Sequence, residues 1–101
     1  MGLINVSKAA AGLPQAWSSE RLALVGNAWV KVLRMDELGV EEERHGDAEA
    51  LLVLDGRLEM QVGDQAVSVG PGEMYVMPAG VGHTVRPGSR GTLVIVDSAV
   101  G

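Results

Sequence analysis

The sequence predicts one all-β domain of the barrel or sandwich type. Apolar segments of about five residues recur with turn signals about every eight to twelve residues, the spacing of antiparallel barrels and sandwiches. Residues 57–62, Arg-Leu-Glu-Met-Gln-Val, alternate polar and apolar throughout. At period two they present one wet face and one dry face. No segment of helical length keeps a helical period, and there is no fixed-period repeat or low-complexity tract. A chain of 101 residues suits a single domain and can bury one core without covalent staples.

The elements follow in order. Residues 1–20 read as an N-terminal arm and residues 21–97 as the barrel. In the arm, residues 3–6 suggest a short strand, followed by a helical turn capped by Ser7. Gly12 and Pro14 break that turn, and Trp17 anchors the loop to the body. Residues 21–25 and 28–35 flank Gly26-Asn27 and predict a hairpin. Residues 40–45, Val-Glu-Glu-Glu-Arg-His, read as a polar edge strand or loop, with Asp47 as a turn residue. Residues 48–54 are apolar except for Glu49, which predicts a strand buried on both faces. A lone Glu in such a strand needs a partner or a purpose. Asp55-Gly56 predicts a hairpin turn before strand 57–62. Gly63-Asp64 and Gly70-Pro71-Gly72 bracket strand 65–69. Strand 73–77 ends at Pro78, and a loop leads through Gly80 and Gly82 into His83. Strands 84–86 and 92–97 complete the chain. Trp29 reads as packing, and Arg57 and Arg86 as single surface cations.

Composition excludes several classes of function. Eight Lys and Arg against thirteen Asp and Glu give a formal net charge of −5, which argues against nucleic acid and anionic membranes. The absence of cysteine removes disulfides, zinc-thiolate sites and cysteine nucleophiles. It also fits a reducing, cytoplasmic setting. No apolar run approaches a membrane span, and residues 1–11 do not read as a signal peptide. The serines lack a nucleophile-elbow context. The glycines sit at hairpin turns rather than ahead of helices, so no phosphate loop is expected. Hydrophobic residues at 47% and charged residues at 21% argue against disorder.

Both histidines fall in one stretch. It can be written Glu43-x-His45-x3-Glu49-x6-Gly56, then Gly72-x5-Pro78-x-Gly80-x2-His83. Residues 43 and 45 would share one face of a strand. This stretch resembles the two motifs of the cupin superfamily, whose first motif carries His-x-His, then Glu, then Gly, and whose second carries Gly, Pro-x-Gly and His. The second motif is present at the family spacing except that Pro87 stands where the family has Asn. The first keeps His45, Glu49 and Gly56 but has Glu43 in place of the first His, and it lacks the leading Gly. The resemblance covers about half the chain directly and implies a cupin-type double-stranded β-helix, or jelly-roll barrel.

By position, the resemblance implies a divalent metal inside the barrel with His45, Glu49, His83 and Glu43 as ligands. Imidazole and carboxylate donors suit Mn, Fe, Ni or Zn. Strand parity puts Tyr75, Met77 and Val85 beside the pocket, with Leu51 and Met60 as further lining. Two readings stay open. In one, the chain is a metal-dependent enzyme of dioxygenase or isomerase type, acting on a small molecule. In the other, it is a metal-free, non-catalytic cupin acting as a small-ligand-binding or structural dimer module, in which His45, Glu49 and His83 form a hydrogen-bonded cluster. Glu43 lies in an acidic run, which has its own reading as a solvated face. The outer face of strand 48–54 (Ala50, Leu52 and Leu54) needs cover, and small cupins resembling this chain pair as homodimers. A homodimer is therefore expected.

Overall fold

The computed structural model describes residues 2–37, 40–43 and 46–100. After helix α1 (Val6–Ala11) come strands β1 (Glu20–Val25), β2 (Ala28–Met35), β3 (Val40–Glu43) and β4 (Glu49–Val62). Strands β5 (Gln65–Val69), β6 (Met74–Met77), β7 (His83–Val85) and β8 (Arg90–Ser98) follow. All strand pairs are antiparallel. The order is β1-β2-β8-β4-β7-β3, with β5 and β6 also paired to β4.

Strand β4 joins the two sheets. Its first half pairs with β8 and β6, and its second half with β5 and β7. The switch falls at Asp55-Gly56, directly after the register of the ladder to β8 shifts between Val53 and Asp55. These two residues form no hairpin turn, contrary to what the dipeptide predicts. Its tolerance of positive φ serves a bulged corner instead. Gly56 has φ +80°, and a Cβ there would sit 1.9 Å from the Arg90 carbonyl oxygen. Gly91, its partner in the ladder, has φ +103°, and a Cβ there would sit 2.1 Å from the Asp55 carbonyl oxygen. Two backbones meet closely here, and only glycine fits on either side.

The bulge also reverses parity. Glu49, Leu51 and Val53 face inward before it, and Leu58 and Met60 after it. With Leu93 and Ile95 they form the barrel core. The strand is not buried on both faces as its apolar run predicts. Ala50 and Leu52 are half-buried and Leu54 is exposed. Their cross-strand neighbours are apolar too. Ala50 lies in the row Ala23, Val30, Val96, Ala50, Val76. Leu52 lies in the row Glu20, Val32, Val94, Leu52, Met74.

The arm differs from its sequence reading. Among the described residues 2–5 there is no strand. The helix starts two residues earlier, with Asn5 as its cap: Asn5 Oδ1 accepts from the Lys8 amide at 3.0 Å. Asn is as good a cap as Ser, and its choice places Ser7 inside the helix. The arm is tied to β2 by the Trp17 amide, which donates to the Arg34 carbonyl at 2.9 Å, and by Arg34 Nη2, which donates to the Leu13 carbonyl at 3.3 Å. The 87–91 loop is pinned by Ser89, which is fully buried. Ser89 Oγ accepts from the Glu59 amide at 2.9 Å and lies 3.0 Å from the Arg86 carbonyl oxygen. On the wet face of β4, Arg57 donates to Ser68 Oγ at 2.8 Å, so this cation is not isolated.

Candidate functional site

Bulge-corrected parity and the 78–82 loop deliver the site. Glu49 opens β4 on its inner face, and Pro78 ends β6, so the chain crosses the barrel mouth before resuming as β7 at His83. Register pairs His83 with Val62 of β4 and with Glu43 of β3. The Glu49 and His83 side chains are 8% and 5% exposed, and His83 Nε2 lies 3.7 Å from Glu49 Oε1. His83 Nδ1 lies 3.4 Å from the Val81 carbonyl oxygen. The tautomer that makes this bond keeps its hydrogen on Nδ1, which leaves the Nε2 lone pair facing the carboxylate. A backbone carbonyl orienting a ligand histidine is a common outer-shell arrangement.

A cavity of about 190 Å³ opens beside the pair. Of the expected lining residues, Leu51, Met60 and Val85 bound it. Tyr75 and Met77 do not. They sit on β6, where Tyr75 pairs with Leu51 and Met77 with Glu49, and Met77 is buried in the core. β6 lies on the far side of β4 from β8 in the sheet, and its side chains fall outside the cavity lining.

Of the four expected ligands, the structure brings Glu49 and His83 together. His45 and the Glu43 side chain lie outside the described residues, although the Glu43 backbone neighbours His83. Among the described residues no set of three His, Cys, Asp or Glu gathers into a metal cage. The two donors present do fit a divalent ion. Imidazole and carboxylate atoms each bind at about 2.0–2.2 Å, so a separation of 3.7 Å lies within the span of one ion.

A second charged pair, on the same sheet as Glu49, was not foreseen. Lys31 of β2 and Asp97 of β8 both line the cavity, with Nζ and Oδ2 2.6 Å apart. Trp17 and Ser19 of the arm also line it. The available signal was a charge next to apolar strand residues, an argument close to the one that singles out Glu49: Lys31 stands between Val30 and Val32, and Asp97 follows Val96. Among the described residues, the Trp17 indole N–H and Asp97 Oδ1 are buried without a hydrogen-bond partner. Each such atom costs about 1–3 kcal/mol.

A family model for the cupin domain matches residues 31–98, and the chain belongs to the cupin family. Its fold is the all-β cupin barrel. A cupin-2 domain-containing protein from Shewanella frigidimarina is similar at 27% identity and a TM-score of 0.86, over 95% of this chain and 94% of that one. A protein from Neisseria meningitidis is similar at 20% identity and a TM-score of 0.83, over 95% and 98% of the two chains. The hydroquinone 1,2-dioxygenase PnpCD, whose structure is a complex with Fe3+, is similar in fold at 14% identity and a TM-score of 0.81, over 90% of this chain and 30% of that one. No curated protein matches. Among the described residues, no helix is long and apolar enough to cross a membrane.

Proposed function

We propose that this protein is a small cupin that holds a divalent metal at Glu49 and His83 and acts on or binds a small molecule in the adjoining cavity. The observation that carries this reading is the buried Glu49–His83 pair, 3.7 Å apart in the cavity wall. An imidazole nitrogen and a carboxylate oxygen this close together in a buried setting are a donor pair that one divalent cation can share. His45 and Glu43 are the candidate further ligands by motif position. Mn, Fe, Ni or Zn would supply Lewis acidity toward an oxygen of the bound molecule. The chain's own part is to orient that molecule against an apolar wall and to exclude water from it.

The test is elemental analysis of protein purified without an affinity tag or chelator, beside His83→Ala. About one equivalent of a transition metal, absent from the variant, is the expected result. Metal at a hundred times its dissociation constant would also stabilise the fold by about 2.7 kcal/mol. No metal, and no thermal shift with added Mn, Fe, Ni or Zn, would overturn the metal-bound reading. The Glu49–His83 pair would then be a hydrogen-bonded cluster in a metal-free binding module. Glu43 at the first motif position favours that second reading.

The same proposal includes a homodimer. Its support is the apolar outer sheet face, on which Val25, Met74 and Val76 are 64%, 56% and 59% exposed. A flat face of this kind is complementary to its own copy across a two-fold axis. Light scattering should give a dimer mass for the protein and a monomer mass for Val76→Lys. A monomer at micromolar concentration in the unmutated protein would overturn it.

A further inference from the structure

We propose that Trp17 is a displaceable plug. Residues 12–19 strap it against the barrel core in a strained, closed state, and a molecule larger than the cavity enters by turning it out. This rests on the reading of the cavity as a small-molecule site and adds how that site opens.

The size of the cavity is the first reason. It holds about 190 Å³, whereas small-molecule sites run to about 300–1,000 Å³. Trp17 and Ser19 line it from the segment that joins α1 to β1. Trp17 also packs on the barrel core. Its indole is the largest side chain in the lining, so its withdrawal enlarges the space more than any other single movement.

The closed state carries two internal costs. Trp17 has φ +64°, the one positive value at a non-glycine among the described residues. A bulky residue is strained in the left-handed region and stays there only where its surroundings hold it. The indole N–H is also buried with no hydrogen-bond partner among the described residues. A donor left unmet away from water is unfavourable. Turning the segment out relieves both, because φ is released and the N–H meets water.

The ties that hold the plug are few. Among the described residues, two hydrogen bonds join the segment to the barrel: the Trp17 amide donates to the Arg34 carbonyl, and Arg34 Nη2 donates to the Leu13 carbonyl. Gly12, Pro14, Gln15, Ser18 and Ser19 are exposed. The strands around the cavity are held instead by the long β2–β8 and β4–β8 ladders. A segment with few ties opens at a lower free energy than global unfolding requires.

The experiment uses the full chain and the NMR signals of the two indole N–H groups, which Trp29→Phe assigns. Without ligand, the Trp17 indole N–H should be protected from solvent exchange about a hundredfold less, or lower still, than the slowest amides of the β2–β8 ladder. Equal protection would overturn the plug. Two neutral probes of different size follow, with the Met60 methyl signal reporting entry to the cavity that Met60 lines. Benzene fits an apolar cavity of about 150 Å³, so it should shift Met60 and leave Trp17 protected. Naphthalene should shift Met60 and also expose the Trp17 indole N–H to exchange. A minor open state is populated at about 10% or less. Trp17→Ala needs no opening and should bind naphthalene about tenfold more tightly or better, with a much smaller change for benzene. Trp17→Gly, which accepts the positive φ, is the second variant and should behave alike. Naphthalene bound equally by the variants and the unmutated protein, or bound with Trp17 still protected, would overturn the plug and leave the cavity reading standing. No shift of Met60 by either probe would overturn the cavity reading and the plug with it.

Discussion

The two charged pairs that line the cavity are built from similar chemistry and were unequally visible. In one, Glu49 and His83 sit at turn-bounded strand starts, where glycine and proline spacing marks them. In the other, Lys31 lies mid-strand in β2 and Asp97 next to the end of β8, with no motif spacing to mark either. They are brought together at 2.6 Å by the β2–β8 ladder, which joins residues far apart in the chain. The comparison teaches that a charge flanked by apolar strand residues is also a site signal, provided parity turns it inward.

The largest expected effect tests what holds the walls in place. Gly91→Ala puts a Cβ 2.1 Å from the Asp55 carbonyl oxygen at a positive φ. Relief would have to come from the corner of β4, which carries residues of both sheets. A loss of several kcal/mol is expected, a large fraction of the total stability of a small domain. Chemical denaturation should show a strongly lowered midpoint or no cooperative transition, whereas Gly26→Ala, at a turn where a Cβ meets nothing within 4 Å, should show a much smaller change.

Metal retention separates the two pairs. His83→Ala should abolish it, whereas Asp97→Asn should keep it, as read by elemental analysis of each purified variant. Asp97→Asn also breaks a partly exposed ion pair, whose loss costs about 1 kcal/mol or less. If Asp97→Asn also loses the metal, the two pairs are one coupled site rather than two.

The smallest effect concerns the loop that precedes β8. Ser89→Ala removes the acceptor for the Glu59 amide. It should destabilise by about 1–2 kcal/mol, since one hydrogen bond is lost and a part-buried donor is left unmet. Thermal melting should read this as a downward shift, with metal content unchanged.

Strand existence was readable wherever alternation was strict. Residues 57–62 and 65–69 form β4 and β5 about the Gly63-Asp64 turn, because a two-residue turn and a clean alternation are both local properties. Asp55-Gly56 failed for a nonlocal reason. The dipeptide states that positive φ is tolerated, and the close approach of Gly91 decides that a corner forms there rather than a turn. Ser89 carried no signal, because a serine in a loop becomes a staple only when a distant strand supplies the amide.

Local order and the candidate chemistry were therefore determined by sequence alone: the β class, most turns, and the spacing that places Glu49 and His83 at strand starts. Tertiary structure decided which residues meet. It reversed the parity of β4 at a bulge, left Tyr75 and Met77 out of the cavity lining, and brought Trp17, Lys31 and Asp97 into it. The physical reason is range. Turn propensity and alternation act within a few residues, whereas the register between β2, β8 and β4 is chosen by the packing of the whole barrel.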